Sequence, residues 1–175
     1  PIPDREINVM VVQANIGNRL KHLADHGPRF REAITDSYLE VTAAGLVKGP
    51  RPDLVLWPET AFPGALNEGD PASLAALQVR NFIREKNLPL VVGAFGEAGD
   101  GRVTNSLYFL SPSGEHLAAP YAKSLLLPFG EYIPGAGIFP QLKAYLPAAR
   151  DFAAGAGPTV VELLGRRVGV QICYE

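Results

Sequence analysis

The sequence predicts a mixed α/β fold, and three observations lead there. In the first half, short apolar runs alternate with two longer segments of helical periodicity, the pattern of strands that run partly parallel. In the second half, strand-like runs are joined by turn residues, as in antiparallel hairpins. The 18 glycines and 16 prolines are spread along the chain, which places many turns without reaching the share that marks disorder. With 175 residues, 47% of them apolar, there is enough material for one core.

Residues 1–6 read as a polar lead-in or linker, and residues 7–175 as one domain. Ile7–Gln13 is a continuous apolar strand of the kind expected in a sheet covered on both faces. Ala14–Gly27 is a loop. Pro28 suits the first turn of a helix, and Phe30, Ile34, Tyr38 and Val41 recur at helical spacing, so a helix is expected over 28–45. Gly49, Pro50 and Pro52 end it, and Asp53–Trp57 is a second strand. Asp70-Pro71 combines an N-cap with a first-turn proline, and Leu74, Leu77, Phe82 and Ile83 would line the inner face of the helix it starts. Leu90–Ala94 and Asn105–Leu110 are the third and fourth strands, with a turn at Gly99–Gly101. Ser111–Gly114 turns the chain into a strand over Glu115–Tyr121. Lys123–Pro158 is a long loop, and loops of that length inside a domain are usually functional. Thr159–Leu164 turns at Gly165-Arg166 and pairs with a final strand, Val168–Cys173.

Composition removes several classes of function. The net charge of −2, with no basic stripe, gives no reason to expect a nucleic-acid partner. No apolar run approaches the roughly 20 residues of a membrane span, and no stretch reads as a secretory leader. His22, His26 and His116 lack metal-ligand spacing, and one cysteine makes a zinc site a poor fit, so no metal or cofactor is expected. Phosphate-binding glycine loops and the serine nucleophile elbow are absent.

Three chemically complementary groups each stand just past a strand: Glu59, Lys123 and Cys173. Strand ends are where α/β folds collect their reactive side chains. A thiol needs a base or a cation to become a thiolate; a carboxylate can take its proton, and an ammonium steadies both thiolate and oxyanion. Read singly, each has a plain alternative: Cys173 as a small buried hydrophobe, Glu59 as a surface or helix-start acid, Lys123 as a solvated loop lysine.

The sequences around them carry more. Trp57-Pro58-Glu59-Thr60, Tyr121-Ala122-Lys123, Pro128-Phe129-Gly130-Glu131-Tyr132 and Cys173-Tyr174-Glu175 together resemble the carbon–nitrogen hydrolase, or nitrilase, superfamily. The longer pattern from Tyr121 to Pro134, with Gln13-x-Asn15-Ile16 and Pro58-Glu59-Thr60-Ala61, is similar to its apolipoprotein N-acyltransferase branch. Ala122, where the branch usually has Asp, and Leu127, where it has Val, depart from the pattern. The resemblance implies a nitrilase-like α-β-β-α sandwich with mixed sheets. It implies Glu59 as general base, Lys123 as oxyanion-stabilising lysine and Cys173 as nucleophile, with Glu131, Tyr174 and Glu175 supporting them.

The activity implied is transfer of a fatty acyl chain from a phospholipid, through a Cys173 thioester, to the N-terminal amine of an apolipoprotein. The place implied is the periplasmic side of a bacterial inner membrane, reached through membrane segments absent from this chain. Leu125, Leu126, Leu127, Phe129, Ile133, Ile138, Phe139, Leu142, Tyr145 and Leu146 would then be lids at the membrane surface or ordinary loop anchors. The branch continues past the cysteine motif, so the expectation is a C-terminally incomplete domain, inactive and poorly soluble alone. Two other readings stay open: an amidase of the same superfamily with the same triad, and a scaffold that kept the fold without the chemistry.

Overall fold

Parallel pairing of two short strands begins the main sheet. The computed structural model describes residues 6–17, 27–66, 73–139, 141–145 and 150–175. β1 (Val9–Val11) pairs parallel with β2 (Leu54–Trp57), and β2 pairs parallel with β3 (Leu90–Glu97). β4 (Val103–Leu110) runs antiparallel to β3 along its whole length, and β5 (Tyr121–Ala122) antiparallel to β4. The sheet is therefore mixed, with its strands in chain order.

Helices α1 (Pro28–Lys48) and α2 (Leu74–Lys86) supply the parallel crossovers and cover one face. On that face Trp57, Val92, Ala94, Tyr108 and Leu110 pack against Ile34 and Tyr38 of α1 and Val79 and Ile83 of α2. The buried row of α1 is Ile34, Thr35, Tyr38 and Thr42, while Phe30 and Val41, expected to face inward, are exposed. Threonine can take an inward position because its hydroxyl bonds back along the helix. Thr35 Oγ1 donates to the Arg31 carbonyl and Thr42 Oγ1 to that of Tyr38. Thr42 Oγ1 also accepts from the Trp57 indole, 3.0 Å away, which ties α1 to the end of β2.

In α2 the buried residues are Ala75, Ala76, Val79 and Ile83, and Leu74 is 65% exposed, so the expected face was partly out of phase. Its N-cap is Ser73, whose hydroxyl accepts from the Ala76 N–H. The expected Asp70-Pro71 start lies outside the described residues.

The opposite face is covered by a hairpin of β6 (Thr159–Leu163) and β7 (Arg166–Val170). Val161, Leu163 and Ile172 pack there on Leu54, Val91, Phe109 and Tyr121. Leu164 and Gly165 both have positive φ, the geometry of a two-residue hairpin turn. Helices, sheet and hairpin thus form three layers of the expected α-β-β-α stack among the described residues.

Three expectations are corrected here. β1 is shorter than Ile7–Gln13 and is an edge strand covered on one side only, with Val11 65% exposed. Glu115–Pro120 makes a single bridge, Leu110 to His116, and regular pairing resumes only at Tyr121, because the segment turns at Ser113-Gly114 under Arg80 and Arg84 of α2. The last strand ends at Val170, so Cys173 lies on a turn beyond it. A four-residue helix, α3 (Leu142–Tyr145), is the only helix within the described part of the long loop.

Candidate active site

The Pro58–Thr60 turn leaves β2 directly over Gly93 of β3. A Cβ on Gly93 would strike the Pro58 carbonyl and come within 2.6 Å of Glu59 Cα, so only glycine lets the turn sit there. Thr60 has φ 52, and the Phe62 N–H donates to the Gly93 carbonyl at 3.0 Å. These features fix the backbone that carries Glu59.

Lys123 follows β5 and is held at both main-chain groups: its N–H donates to the Asn105 carbonyl, and its own carbonyl accepts from Gly155. Gly155 must be glycine here too, since a Cβ would overlap the Ala122 carbonyl. The Lys123 side chain is 2% exposed, yet its ammonium is paired. Nζ lies 2.9 Å from Glu131 Oε1 and 3.6 Å from Glu59 Oε1. Burial alone pulls its pKa down. The Glu131 hydrogen bond and the charges of Glu59, Glu131 and Cys173 outweigh that and hold it above its ordinary value. Lys123 is therefore a fixed cation at neutral pH.

The long loop closes over this pair. Glu131 Oε2 accepts from the Leu127 N–H at 2.8 Å, and the Glu131 carbonyl accepts from Phe152 at 2.9 Å. Asn105, near the start of β4 and 1% exposed, links the two acids: its Nδ2 donates to Glu59 Oε1 at 2.6 Å and to Glu131 Oε1 at 3.1 Å. Its Oδ1 is buried with no hydrogen-bond partner among the described residues. Reading the sequence missed Asn105, although an asparagine inside a strand is unusual enough to have been a signal.

Cys173 is exposed and has φ 59, a left-handed conformation uncommon for a residue with a side chain. The turn that holds it is anchored by Glu175. One Glu175 oxygen accepts from the Ser124 N–H and hydroxyl and the Leu125 N–H; the other accepts from the Tyr121 hydroxyl and the Ile172 N–H. Burial would raise the pKa of this carboxyl, but the donors around it hold it down to about 2. Glu175 thus ties the cysteine turn to the Tyr121–Leu125 segment that bears Lys123. Tyr174, between them, is 83% exposed.

Glu59, Asn105 and Glu131 line a cleft of about 300 Å³ with Thr60, Pro63, Phe95, Gly130, Arg150 and Phe152. A larger cleft of about 750 Å³, lined by Leu125, Leu126, Tyr132, Ile133 and Ala136, shares Phe152 with it. Leu125, Leu127, Phe129, Ile138, Phe139 and Tyr145 are exposed around this loop, Ile133 is buried, and Leu146 lies outside the described residues. No grouping of three His, Cys, Asp or Glu side chains suited to a metal occurs among the described residues. No described helix is long and apolar enough to cross a membrane.

The sequence profile of carbon–nitrogen hydrolases matches residues 11–175. An apolipoprotein N-acyltransferase of Bdellovibrio bacteriovorus is 37% identical over 98% of this chain and 33% of its own length. One of Rhizobium meliloti is 35% identical over 97% of the chain and 32% of its own. The chain spans about a third of the length of the curated relatives it matches. Among solved structures, Saccharomyces cerevisiae Nit3, of the nitrilase superfamily, has a TM-score of 0.64 at 16% identity, covering 96% of this chain and 55% of that one. XC1258 of Xanthomonas campestris, a CN-hydrolase superfamily protein, has a TM-score of 0.59 at 20% identity, over 97% and 54%. At those identities the likeness speaks to the fold.

Proposed function

We propose that this chain, which belongs to the carbon–nitrogen hydrolase family, is the catalytic part of an acyltransferase that moves a fatty acyl chain from a phospholipid to the N-terminal amine of an apolipoprotein. The observation that carries the proposal is the buried Lys123 ammonium, clamped between Glu131 and Glu59 on a segment that Glu175 ties to the Cys173 turn. In this reading Cys173 Sγ attacks the ester carbonyl and its proton passes to Glu59. Lys123 Nζ stabilises the oxyanion. The tetrahedral intermediate collapses, the lysophospholipid alkoxide leaves with the proton returned by Glu59, and a thioester remains on Cys173. The acceptor amine then attacks the thioester, giving up a proton to Glu59, and the thiol is regenerated as the amide forms. Glu131 and Asn105 hold Lys123 and Glu59 in place through the step.

The larger cleft, walled by Leu125, Leu126 and Ile133, offers room for acyl methylenes next to the smaller cleft that holds Glu59, with which it shares Phe152. The exposed apolar side chains around it suit a membrane surface, and a water-poor setting would protect a thioester from hydrolysis. The setting proposed is the periplasmic face of a bacterial inner membrane, with the membrane segments lying outside this chain. What favours acyl transfer over amide hydrolysis is the set of acyltransferase-named relatives matching nearly the whole chain.

The test is to incubate the full-length gene product with a phospholipid and a lipopeptide bearing a free N-terminal amine. N-acylated lipopeptide and lysophospholipid in equal amounts are expected. Ammonia release from small amides, with no acylated lipopeptide, would instead make the protein an amidase.

A further inference from the structure

A third cleft, of about 430 Å³, opens beside the cysteine turn. The run Gly155-Ala156-Gly157-Pro158 lines it together with Val170, Gln171 and Glu175, and it shares Ser124 and Leu125 with the larger cleft. Gly157 has φ +132, and the run belongs to no helix or strand. The Gly155 N–H is taken by the Lys123 carbonyl, but the N–H groups of Ala156 and Gly157 have no partner among the described residues. Gln171 is exposed, and no hydrogen bond holds its side-chain amide among the described residues. Gln171 stands two residues before Cys173, so their Cα atoms are at most about 7.6 Å apart.

The lining separates the two substrates by charge. Among the described residues no Lys, Arg or His lines this cleft. Its one charged side chain is Glu175, an anion already satisfied by donors from Tyr121, Ser124, Leu125 and Ile172. The phosphodiester of a donor lipid would be desolvated there with no cation to pair with and a carboxylate nearby. A polypeptide main chain is neutral and offers a donor and an acceptor at each residue. Open main-chain N–H groups and a side-chain amide answer both. The acyl acceptor brings such a chain, and its terminal amine has to reach the thioester on Cys173, next to this cleft.

We propose that this cleft binds the main chain of the acceptor's N-terminal residues, with Gln171 as the positioning residue that sets the amine beside Cys173. The proposal rests on the acyl-transfer reading above. The Gln171 amide donates to the carbonyl of one extended acceptor residue and accepts from its N–H, while Ala156 and Gly157 donate to further carbonyls. Recognition of this kind tolerates any side chains after the first residue.

The full-length gene product is first acylated with phosphatidylethanolamine in mixed micelles, and that rate is recorded. Transfer is then followed to three acceptors with the same lipid-modified first residue: its simple amide, a lipopeptide that continues for three residues, and that lipopeptide with its peptide nitrogens methylated. The wild type is expected to show a KM for the lipopeptide about fivefold or more below that of the other two, the scale of one net hydrogen bond. Gln171→Leu should raise the lipopeptide KM about fivefold with kcat held, and the loss should be absent with the amide. Gln171→Ala, which leaves the cleft open, should match it. Equal KM for all three acceptors in the wild type overturns the assignment. So does a loss in Gln171→Leu that is as large with the amide or that slows acyl-enzyme formation, since Gln171 would then be structural. A loss in Gln171→Leu but not in Gln171→Ala overturns it too, by making the effect blockage. Wild-type enzyme that forms no acyl-enzyme at all overturns the acyl-transfer reading, and this one with it.

Discussion

Asn105 shows how much of the site rests on one amide. Its Nδ2 donates to both Glu59 and Glu131, so it holds two like-charged groups near each other and near Lys123. Asn105→Ala should leave the fold intact by circular dichroism and lower kcat by roughly a hundredfold, the scale of a misplaced catalytic group. Asn105→Asp should do worse, because a third carboxylate would repel the other two. Wild-type kcat in Asn105→Ala would remove it from the site. Cys173→Ser should fold and lose acyl transfer by about three orders of magnitude or more, because a hydroxyl is a far weaker nucleophile than a thiolate.

At this scale the sequence was most and least legible. Glu59, Lys123, Cys173 and Glu131 stood out because each lies in a run of unusual neighbours. Asn105 did not, since its partners arrive only when β4 meets the β2 turn and the long loop. Thr35 and Thr42 hid the buried row of α1 for a similar reason: a polar side chain counts as outward until its carbonyl partner is known.

Among the elements, two loops depend on close backbone approach. Gly93→Ala would push a methyl group into the Pro58–Glu59 backbone, which cannot swing aside as a side chain could. It should cost about 1–3 kcal/mol by overpacking and reduce kcat as well, because Glu59 moves with the turn. Denaturant melts and steady-state rates would check both parts. The cysteine turn depends instead on Glu175. Its carboxyl titrates near 2 rather than at the ordinary 4.5, so the folded state favours the ionised form. That stabilisation is present above about pH 4.5 and is lost as pH falls toward 2. Glu175→Gln should lose about 1.5–3 kcal/mol at neutral pH, the range for hydrogen bonds to a charged group, and flatten the acid limb of Tm against pH. An unchanged acid limb would contradict the anchoring role. Short apolar runs in the sequence revealed β2, β3 and β4, but alternation carried the final strand on to Cys173. The chain instead leaves the sheet after Val170 so that Glu175 can reach Tyr121 and Ser124.

Taken whole, the molecule buries its main sheet between helices and hairpin but leaves edges open. β1 pairs only with β2, and β7 only with β6, among the described residues. Val9 and Val11 are exposed on β1, and Val168 on β7. Unpaired edges bearing apolar side chains invite further pairing. The 175-residue chain alone should therefore self-associate at micromolar concentration, which sedimentation velocity would detect; a monodisperse monomer would show the edges to be protected. Composition and periodicity conveyed the mixed α/β class, since they follow from local patterns. They could not convey which sheet face the hairpin covers, because Val161 and Leu163 meet Leu54 and Phe109 only in three dimensions.

The claim on which the rest depends is that Cys173, steadied by Lys123, carries the acyl chain between donor and acceptor. Intact-protein mass spectrometry of the full-length gene product, incubated with phospholipid and no acceptor, tests it directly. The account predicts one added acyl mass, mapped to Cys173, released by neutral hydroxylamine as a thioester and absent from Lys123→Ala over the same interval. An unmodified Cys173 with continuing acyl transfer, or an adduct on another residue, would contradict it.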